Sequence, residues 1–228
     1  MAPLPQNILT QIDEAVAHYT AKLSVFEADA ENLRTRLLGD AVLKKSIHSV
    51  KWRVKEPSHL HDKLVRRAVK AAEENVVFAV TKDNVFDSIH DLAGVRLLHL
   101  HMKQVETIHP RLVQFFTEEG YIQHEPPEAK TWDLEYEKLL TGLGLSVKRD
   151  ESLYTSIHYK VRQNSTNPRT CELQVRTLAE EVWGEVSHTI NYPHPTESVA
   201  CKEQLKALAR FVSGCSRLVD SIVASHED

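Results

Sequence analysis

Apolar residues recur at spacings of three and four near both ends of the chain. The N-terminal series runs from Ile8 to Leu37 and predicts one long amphipathic helix that ends near Gly39. The C-terminal series, from Leu205 to Ile222, predicts a second amphipathic helix. The spacing leaves open whether these helices pack on each other, on a sheet or on a partner.

Residues 47–55 alternate between apolar and cationic side chains, which predicts a strand with one buried and one positively charged face. Pro57 then suits the first turn of a helix. The apolar stripe of this helix is Leu60, Leu64, Ala68 and Ala72, and a neighbouring stripe carries Lys63, Arg66, Arg67 and Lys70. A cationic stripe usually faces water. This one directly follows the cationic strand positions Lys51, Arg53 and Lys55, and such a convergence of charge favours a polyphosphate.

A carboxylate stands where a turn leads into the next strand. Asp91 precedes a predicted strand that begins near Gly94 and contains Arg96. A helix over 105–119 and a short strand over 120–122 follow.

Residues 125–153 are the least regular part of the chain. A short helix is expected around 132–140, and Lys148 and Arg149 end the segment. Irregular segments of this length inside a domain are typical of functional loops.

The next stretch has the pattern of a hairpin. Residues 154–161 and 171–176 each alternate between apolar and polar side chains, and the linker contains Asn164, Ser165 and Asn167. The polar positions are Tyr154, Ser156, His158 and Lys160 on the first strand, and Glu172, Gln174 and Arg176 on the second. Many antiparallel sheets show such a face to water. An aromatic ring, an imidazole, a carboxylate and a guanidinium on one face nevertheless favour a compact site, with His158 opposite Glu172 or Gln174.

A helix is predicted directly after the second strand. Thr177 and Glu180 have the spacing of a capping box. The predicted buried stripe is Leu178, Val182, Val186 and Ile190, and the neighbouring stripe is Glu181, Glu185, His188 and Tyr192.

Composition limits the classes of function. The chain has 228 residues, 42% of them hydrophobic, which suits one moderately large domain or a core with a helical appendage. A net charge of −4 gives no overall basic field for sequence-blind binding of nucleic acid. The three cysteines have no motif spacing, which predicts free thiols and a cytoplasmic protein. No apolar run approaches the length of a membrane span, so no membrane partner is expected.

The chemistry that fits these residues best is phosphoryl-type transfer. The sequence contains no Gly-x-Ser-x-Gly, Walker or His-Glu-x-x-His motif. Transfer of a phosphoryl group needs cations, a metal on the phosphates and a base near the attacking hydroxyl. Asp91 and Glu172 form a candidate pair for Mg²⁺, which typically takes one or two protein carboxylates.

The ordered motifs resemble the synthetase domain of the RelA/SpoT alarmone synthetases. They are Arg53-Val-Lys55 with Lys63 and Arg66, Asp91-Leu-Ala-Gly-Val-Arg96, Tyr154-Thr-Ser-Ile-His158, Glu172-Leu-Gln-Val-Arg-Thr177, Trp183 and His188. The resemblance implies an α+β fold with a nucleotidyltransferase-like mixed sheet flanked by helices. It also implies a small, synthetase-only protein, with a helical segment at 1–45, the synthetase domain at 46–195 and a C-terminal helix at 196–228.

The resemblance also implies a reaction and a set of roles. The β,γ-pyrophosphate of ATP would pass to the 3′-hydroxyl of GDP or GTP, giving (p)ppGpp. Donor ATP would be bound by Arg53, Lys55, Lys63, Arg66 and Arg96. Asp91 and Glu172 would bind Mg²⁺, with Glu172 also acting as base. The acceptor would be bound by Tyr154, His158, Gln174 and Arg176. For Trp183 and His188, helix packing is the favoured interpretation.

One departure from the family pattern concerns the acceptor. The family usually has a basic residue four positions before the tyrosine, whereas this chain has Asp150 followed by Glu151. Lys148 and Arg149 are the nearest basic candidates for acceptor binding. The alternatives are therefore an adenosine nucleotide, the 3′ end of tRNA as the target of a toxin, or an inactive nucleotide-sensing module. An oligomer is possible.

Overall fold

The computed structural model describes residues 4–163, 168–192 and 195–227. The helices are α1 Gln6–Thr20, α2 Leu23–Gly39, α3 Ala41–Ser46, α4 Pro57–Glu73, α5 Val85–Ser88, α6 Val105–Glu118, α7 Leu134–Gly142, α8 Leu178–Asn191 and α9 Val199–Glu227. The strands are β1 Ser49–Val54, β2 Ala93–His99, β3 Ile122–Gln123, β4 Glu128–Thr131, β5 Ser146–Arg149, β6 Ser156–Arg162 and β7 Cys171–Thr177.

All of these strands join one mixed sheet. The order is β1-β2-β7-β6-β4-β5, and β3 pairs with the free part of β6. The β2–β7 and β4–β5 pairs are parallel, whereas the remaining pairs are antiparallel. Helices flank the sheet, so the predicted α+β class is confirmed.

The N-terminal segment is helical, but it is broken where one continuous helix is predicted. Residues 21 and 22 form a turn between α1 and α2. The reason is tertiary, because α1 packs on α4 whereas α2 packs on β1 and β2. The hydroxyl of Tyr19 anchors the end of α1 by donating a 2.6 Å hydrogen bond to the carbonyl oxygen of Lys55. The predicted division of the chain at residue 45 stays a prediction.

The segment 125–153 is more regular than the sequence indicates. It contains strands β4 and β5 on either side of α7, whereas only the helix is predicted. Asp133 begins α7 as its N-cap, and its carboxylate also accepts a hydrogen bond from Ser213 of α9 at 2.9 Å. On α4, a smaller correction is that Ala71 is buried while the predicted Ala72 is exposed.

The hairpin of β6 and β7 is antiparallel as predicted, and its linker at 164–167 lies outside the described residues. The predicted buried stripe of α8 is wrong. Val182, Val186 and Ile190 are exposed, whereas Glu180, Glu181 and Trp183 are buried. The cause is the surface below the helix: α8 lies on the polar face of the sheet, where acidic residues meet cations.

The C-terminal helix α9 packs on α8 and on the 3-10 turn at Met102–Gln104. The indole nitrogen of Trp183 donates to the carbonyl oxygen of Leu205 at 2.9 Å. Near the other end of α9, Asp220 approaches Nδ1 of His101 at 2.6 Å. No helix within the described ranges is long and apolar enough to cross a membrane. All three cysteines are free thiols, as the sequence predicts.

The predicted capping box of α8 is half correct. The hydroxyl of Thr177 accepts a hydrogen bond from the backbone of Glu180 at 3.1 Å. The carboxyl group of Glu180 does not return to the cap, because it is buried and has no hydrogen bond within the described residues. Burial raises the pKa of this group to about 8.

This buried acid predicts a dependence of stability on pH. The unfolded chain ionises Glu180 near the ordinary pKa of 4.5, so the folded state loses stability as pH rises from 4.5 to about 8. We expect Glu180→Gln to remove this loss, so that the variant gains free energy of unfolding relative to the parent across that window. Urea unfolding at several pH values measures this free energy of unfolding. Exposed Glu106→Gln is the control, and equal behaviour of both variants would contradict the prediction.

Candidate active site

Strand register gathers the polar residues on one face of the sheet. One row consists of Arg53, Gly94, Glu172 and Lys160, on β1, β2, β7 and β6. The adjacent row consists of Lys51, Arg96, Gln174, His158 and Glu128. The opposite face carries the core residues Val95, Leu173 and Tyr159. The polar face predicted for single strands therefore continues across five strands.

Two carboxylates line one cavity on this face. Asp91 lies just before β2 and Glu172 lies in β7, and the cavity of about 180 Å³ also includes Arg53, Arg96 and Gln174. We call it the carboxylate cavity. The Asp91 carboxylate is 3.1 Å from Nζ of Lys55 and 2.7 Å from Nζ of Lys63.

The two lysines decide the charge of Asp91. Burial raises the pKa of Asp91, but the attraction and hydrogen bonds of Lys55 and Lys63 outweigh burial and bring it to about 2. Asp91 is therefore an anion near neutral pH.

Glu172 is held by two neighbours on the polar face. One of its oxygens lies 3.0 Å from Nδ1 of His158, and the other accepts a hydrogen bond from the amide of Gln174 at 2.9 Å. Burial raises the pKa of Glu172, but these two contacts outweigh burial and hold it below its ordinary value. The sequence predicts that His158 lies opposite Glu172 or Gln174. In the structure Gln174 is its partner in strand register, and Glu172 is the residue that its ring contacts.

The two acids fit a hard divalent cation that is shared with a phosphate. Mg²⁺ takes oxygen ligands and commonly leaves most positions to phosphate and water. Within the described ranges, no cluster of three or more His, Cys, Asp or Glu forms a complete metal site. Any cation held by Asp91 and Glu172 would therefore need ligands from outside the protein.

A second cavity, the cationic cavity, adjoins the first through Arg53 and Asp91. Its other basic lining residues are Lys55, Lys63, Arg66, Arg67 and Lys70, from the end of β1 and from α4. The cavity has a volume of about 430 Å³, and Asp91 is the only acid among the described residues that line it. Burial lowers the pKa of Lys63 despite the nearby Asp91. Such an excess of positive charge favours a multivalent anion.

A third cavity, the aromatic cavity, shares Arg96 and Gln174 with the carboxylate cavity. Its volume is about 380 Å³, and it includes Tyr154, Asp150, Arg176 and Trp183. The ring of Tyr154 lies 6.1 Å from the ring of Trp183, and the guanidinium carbon of Arg176 lies 5.8 Å from the centre of the Tyr154 ring. A flat aromatic group beside a carboxylate suits a heterocyclic base.

Three predicted acceptor residues are absent from the linings of the three cavities. His158 stays next to the site through its contact with Glu172. Lys148 and Arg149 belong to β5, at the end of the sheet, and neither lines any of the three cavities. Lys148 forms an ion pair with Glu128 instead. The turn after β5 brings Asp150 and Ser152 to the aromatic cavity in their place.

Sequence reasoning missed the part that Glu181 and Glu185 of α8 and Tyr192 directly after it have in the site, and it favoured helix packing for His188. Glu181 and Glu185 both form ion pairs with Arg96. Tyr192 stacks on His188 with ring centres 4.7 Å apart, and both line the cationic and aromatic cavities. The signal was present, because these four residues share one stripe of the helix, but a stripe does not reveal what it faces.

Comparison with known proteins gives a family match. The family described as the region found in RelA / SpoT proteins matches residues 52–197, which is most of the chain. No curated protein sequence matches significantly.

Solved structures share the fold. The small alarmone synthetase 1 from Bacillus subtilis bound to its product pppGpp has a TM-score of 0.64 at 19% identity, covering 92% of this chain and 98% of that one. The same enzyme bound to AMPCPP has a TM-score of 0.59 at 16% identity, with the same coverage of both chains. A GTP pyrophosphokinase family protein from Streptococcus pneumoniae gives 0.67 at 19% identity, covering 90% and 92%.

The cationic cavity predicts binding of a polyphosphate. We expect inorganic tripolyphosphate to raise the melting temperature, since a ligand at a hundred times its Kd stabilises a protein by about 2.7 kcal/mol. Replacing Lys63 and Arg66 together by Ala should remove most of this rise. The matched control replaces the exposed Lys44 and Lys45 of α3 and should keep it. Equal shifts in both variants, measured by thermal unfolding, would place the anion elsewhere.

Proposed function

Because this chain belongs to the RelA/SpoT family, we propose that it transfers the β,γ-pyrophosphate of ATP to the 3′-hydroxyl of GDP or GTP. The family assignment confirms the resemblance of the ordered motifs and the class of enzyme, a pyrophosphotransferase. The single observation that carries the substrate proposal is that the three cavities adjoin one another on the same face. The carboxylate cavity shares lining residues with one cavity lined by cations and with another lined by Tyr154.

The cationic side suits the donor. Lys55, Lys63 and Arg66 would hold the triphosphate of ATP, and Arg53 and Arg96 would stack on its adenine. Both arginines line the carboxylate cavity, and Arg53 also lines the cationic cavity, so a nucleotide can extend from one into the other. The Bacillus subtilis enzyme in complex with AMPCPP supports an ATP-like donor for this fold.

The aromatic side suits the acceptor. Tyr154 would stack on the base, and stacking contributes about 1–3 kcal/mol for any base. Discrimination therefore has to come from hydrogen bonds. Asp150 lines the same cavity and would accept from the N1 and N2 donors of guanine, for which adenine offers no matching pair. The pppGpp complex of the Bacillus subtilis enzyme supports this preference.

In the proposed step, the acceptor 3′-oxygen attacks the β-phosphorus of ATP. The bond from that phosphorus to the oxygen bridging the α-phosphate breaks, and AMP leaves. Glu172, kept ionised by His158 and Gln174, would take the hydroxyl proton. Lys55 and Lys63 would offset the charge that develops on the phosphates. Gln174 and Arg176 would support the acceptor wall from the same strand.

Asp91 and Glu172 would also hold Mg²⁺. When bound, the ion supplies charge neutralisation on the phosphate oxygens. In that complex Lys55 and Lys63 would exchange their contacts with Asp91 for contacts with phosphate. An adenosine nucleotide, the 3′ end of tRNA and an inactive sensing module remain alternatives that the experiment below separates.

Product analysis with labelled ATP tests the reaction. We expect transfer to GDP and GTP, weaker transfer to ADP, and none to tRNA. Glu172→Gln and Asp91→Asn should each lower the rate by at least about a hundredfold, because base catalysis alone typically contributes 10²–10⁴-fold. Glu128→Gln, on the same face but outside the carboxylate cavity, is the control. Product from tRNA alone, or no product from any acceptor, would reject the proposal.

A second experiment tests the acceptor wall. Tyr154→Ala should raise the KM for GDP roughly 5- to 150-fold, the equivalent of the stacking energy, with little change in the KM for ATP. Tyr154→Phe keeps the ring and should stay close to the parent. Steady-state kinetics with each substrate varied in turn measures both constants, and a larger effect on ATP would reverse the assignment of the two cavities.

A further inference from the structure

Glu181 is a buried carboxylate that forms ion pairs with basic side chains from several strands. It lies in the first turn of α8, only 3% exposed, and faces the polar side of the sheet. Nζ of Lys51 on β1 lies 3.3 Å away, and Nη1 of Arg96 on β2 lies 3.1 Å away. Arg176 on β7 forms a third ion pair with it.

Two of these partners line nucleotide subsites that adjoin. Arg96 lines the carboxylate cavity next to Arg53, on the donor side, and also reaches the aromatic cavity. Arg176 lines the aromatic cavity, where its guanidinium lies beside the ring of Tyr154. One carboxylate therefore contacts the proposed donor-stacking arginine and an arginine of the acceptor wall.

The geometry leaves the stacking surface of Arg96 usable. A guanidinium donates hydrogen bonds from its edges and stacks through its faces. Glu181 and Glu185 both contact the same edge nitrogen of Arg96. The two acids thus bind one edge of Arg96 and cover neither face by hydrogen bonding.

Helix α8 leaves space for the side chain of Arg176 at Gly184. A Cβ added at Gly184 would lie 2.5 Å from Nη1 of Arg176, so the absence of a side chain lets the guanidinium lie against α8. Gly184 lies in the lining of the aromatic cavity. Tyr154 and Glu181 also contact the guanidinium of Arg176, so its position depends on both of them.

We propose that Glu181 is a positioning residue that couples the donor and acceptor subsites through Arg96 and Arg176. The proposal rests on the proposed function, since it names the regulation of that same site. A donor base that stacks on Arg96 fixes this arginine and, through the shared carboxylate, Arg176 and the ring of Tyr154. The second nucleotide then meets an ordered wall, so each nucleotide raises the affinity for the other.

The neighbouring Glu180 gives a matched control. It is equally buried, at 1% exposed, but has no ion pair within the described residues. Near neutral pH it is mostly protonated, because burial raises its pKa to about 8. Glu180→Gln therefore replaces a neutral group by one of similar shape, whereas Glu181→Gln removes a charge that three cations share.

Equilibrium binding of AMPCPP and GDP, each alone and each with the other saturating, tests the coupling. In the parent protein we expect each ligand to tighten the other at least about fivefold, the lower end of ordinary coupling. Glu181→Gln should weaken both ligands and bring the coupling factor close to one. Glu180→Gln should retain the parent values. A parent without coupling, or Glu181→Gln with the parent's coupling factor, overturns the proposal.

Two milder variants keep the proposal testable if Glu181→Gln does not fold, as judged by circular dichroism. Glu185 is exposed and, among the described residues, forms an ion pair with Arg96 but none with Arg176. Glu185→Gln should therefore weaken the binding of AMPCPP and leave the binding of GDP unchanged. Gly184→Ala displaces Arg176, so it should weaken the binding of GDP and leave the binding of AMPCPP unchanged. The opposite pattern, or no effect of either, overturns the proposal. Failure of the proposed function is seen separately, as the absence of pyrophosphate transfer by the parent protein.

Discussion

The convergence of positive charge on one face of the sheet is the constraint on which the rest of the site depends. The register of β1, β2 and β7 brings Lys51, Arg96 and Arg176 to the same side, where cations repel each other at low dielectric. The acidic residues of α8 relieve this repulsion, and Glu181 does so for all three. On the donor side, Asp91 has the same role for Lys55 and Lys63.

The orientation of α8 follows from this compensation. Turning the acids toward the sheet turns Val182, Val186 and Ile190 toward solvent. Val182 lines an apolar groove together with the exposed Phe211 of α9. The same rotation brings Trp183 against α9 and sets His188 and Tyr192 between two cavities. One electrostatic requirement therefore determines the packing of the last two helices and the walls of the site together.

Local periodicity predicted most of the secondary structure because it records which side of each element is apolar. It failed where that information is weak. Strands β4 and β5 are short, and the sequences EAKT and SVKR carry little apolar signal. The break between α1 and α2 was missed because the apolar spacing continues on both sides of it. Only the separate surfaces under the two helices require the turn.

Residue order alone identified the family and the polar set Arg53, Asp91, Arg96, Tyr154 and Glu172. The order of chemical types along a chain can be read without any knowledge of packing. The tertiary structure decided which of the predicted residues meet. It brought Asp91 and Glu172 to one cavity, left Lys148 and Arg149 at the end of the sheet, and turned the acidic stripe of α8 inward. Side-chain period gives the faces of an element, but the partner of a face depends on strand register and charge balance between residues far apart in the chain.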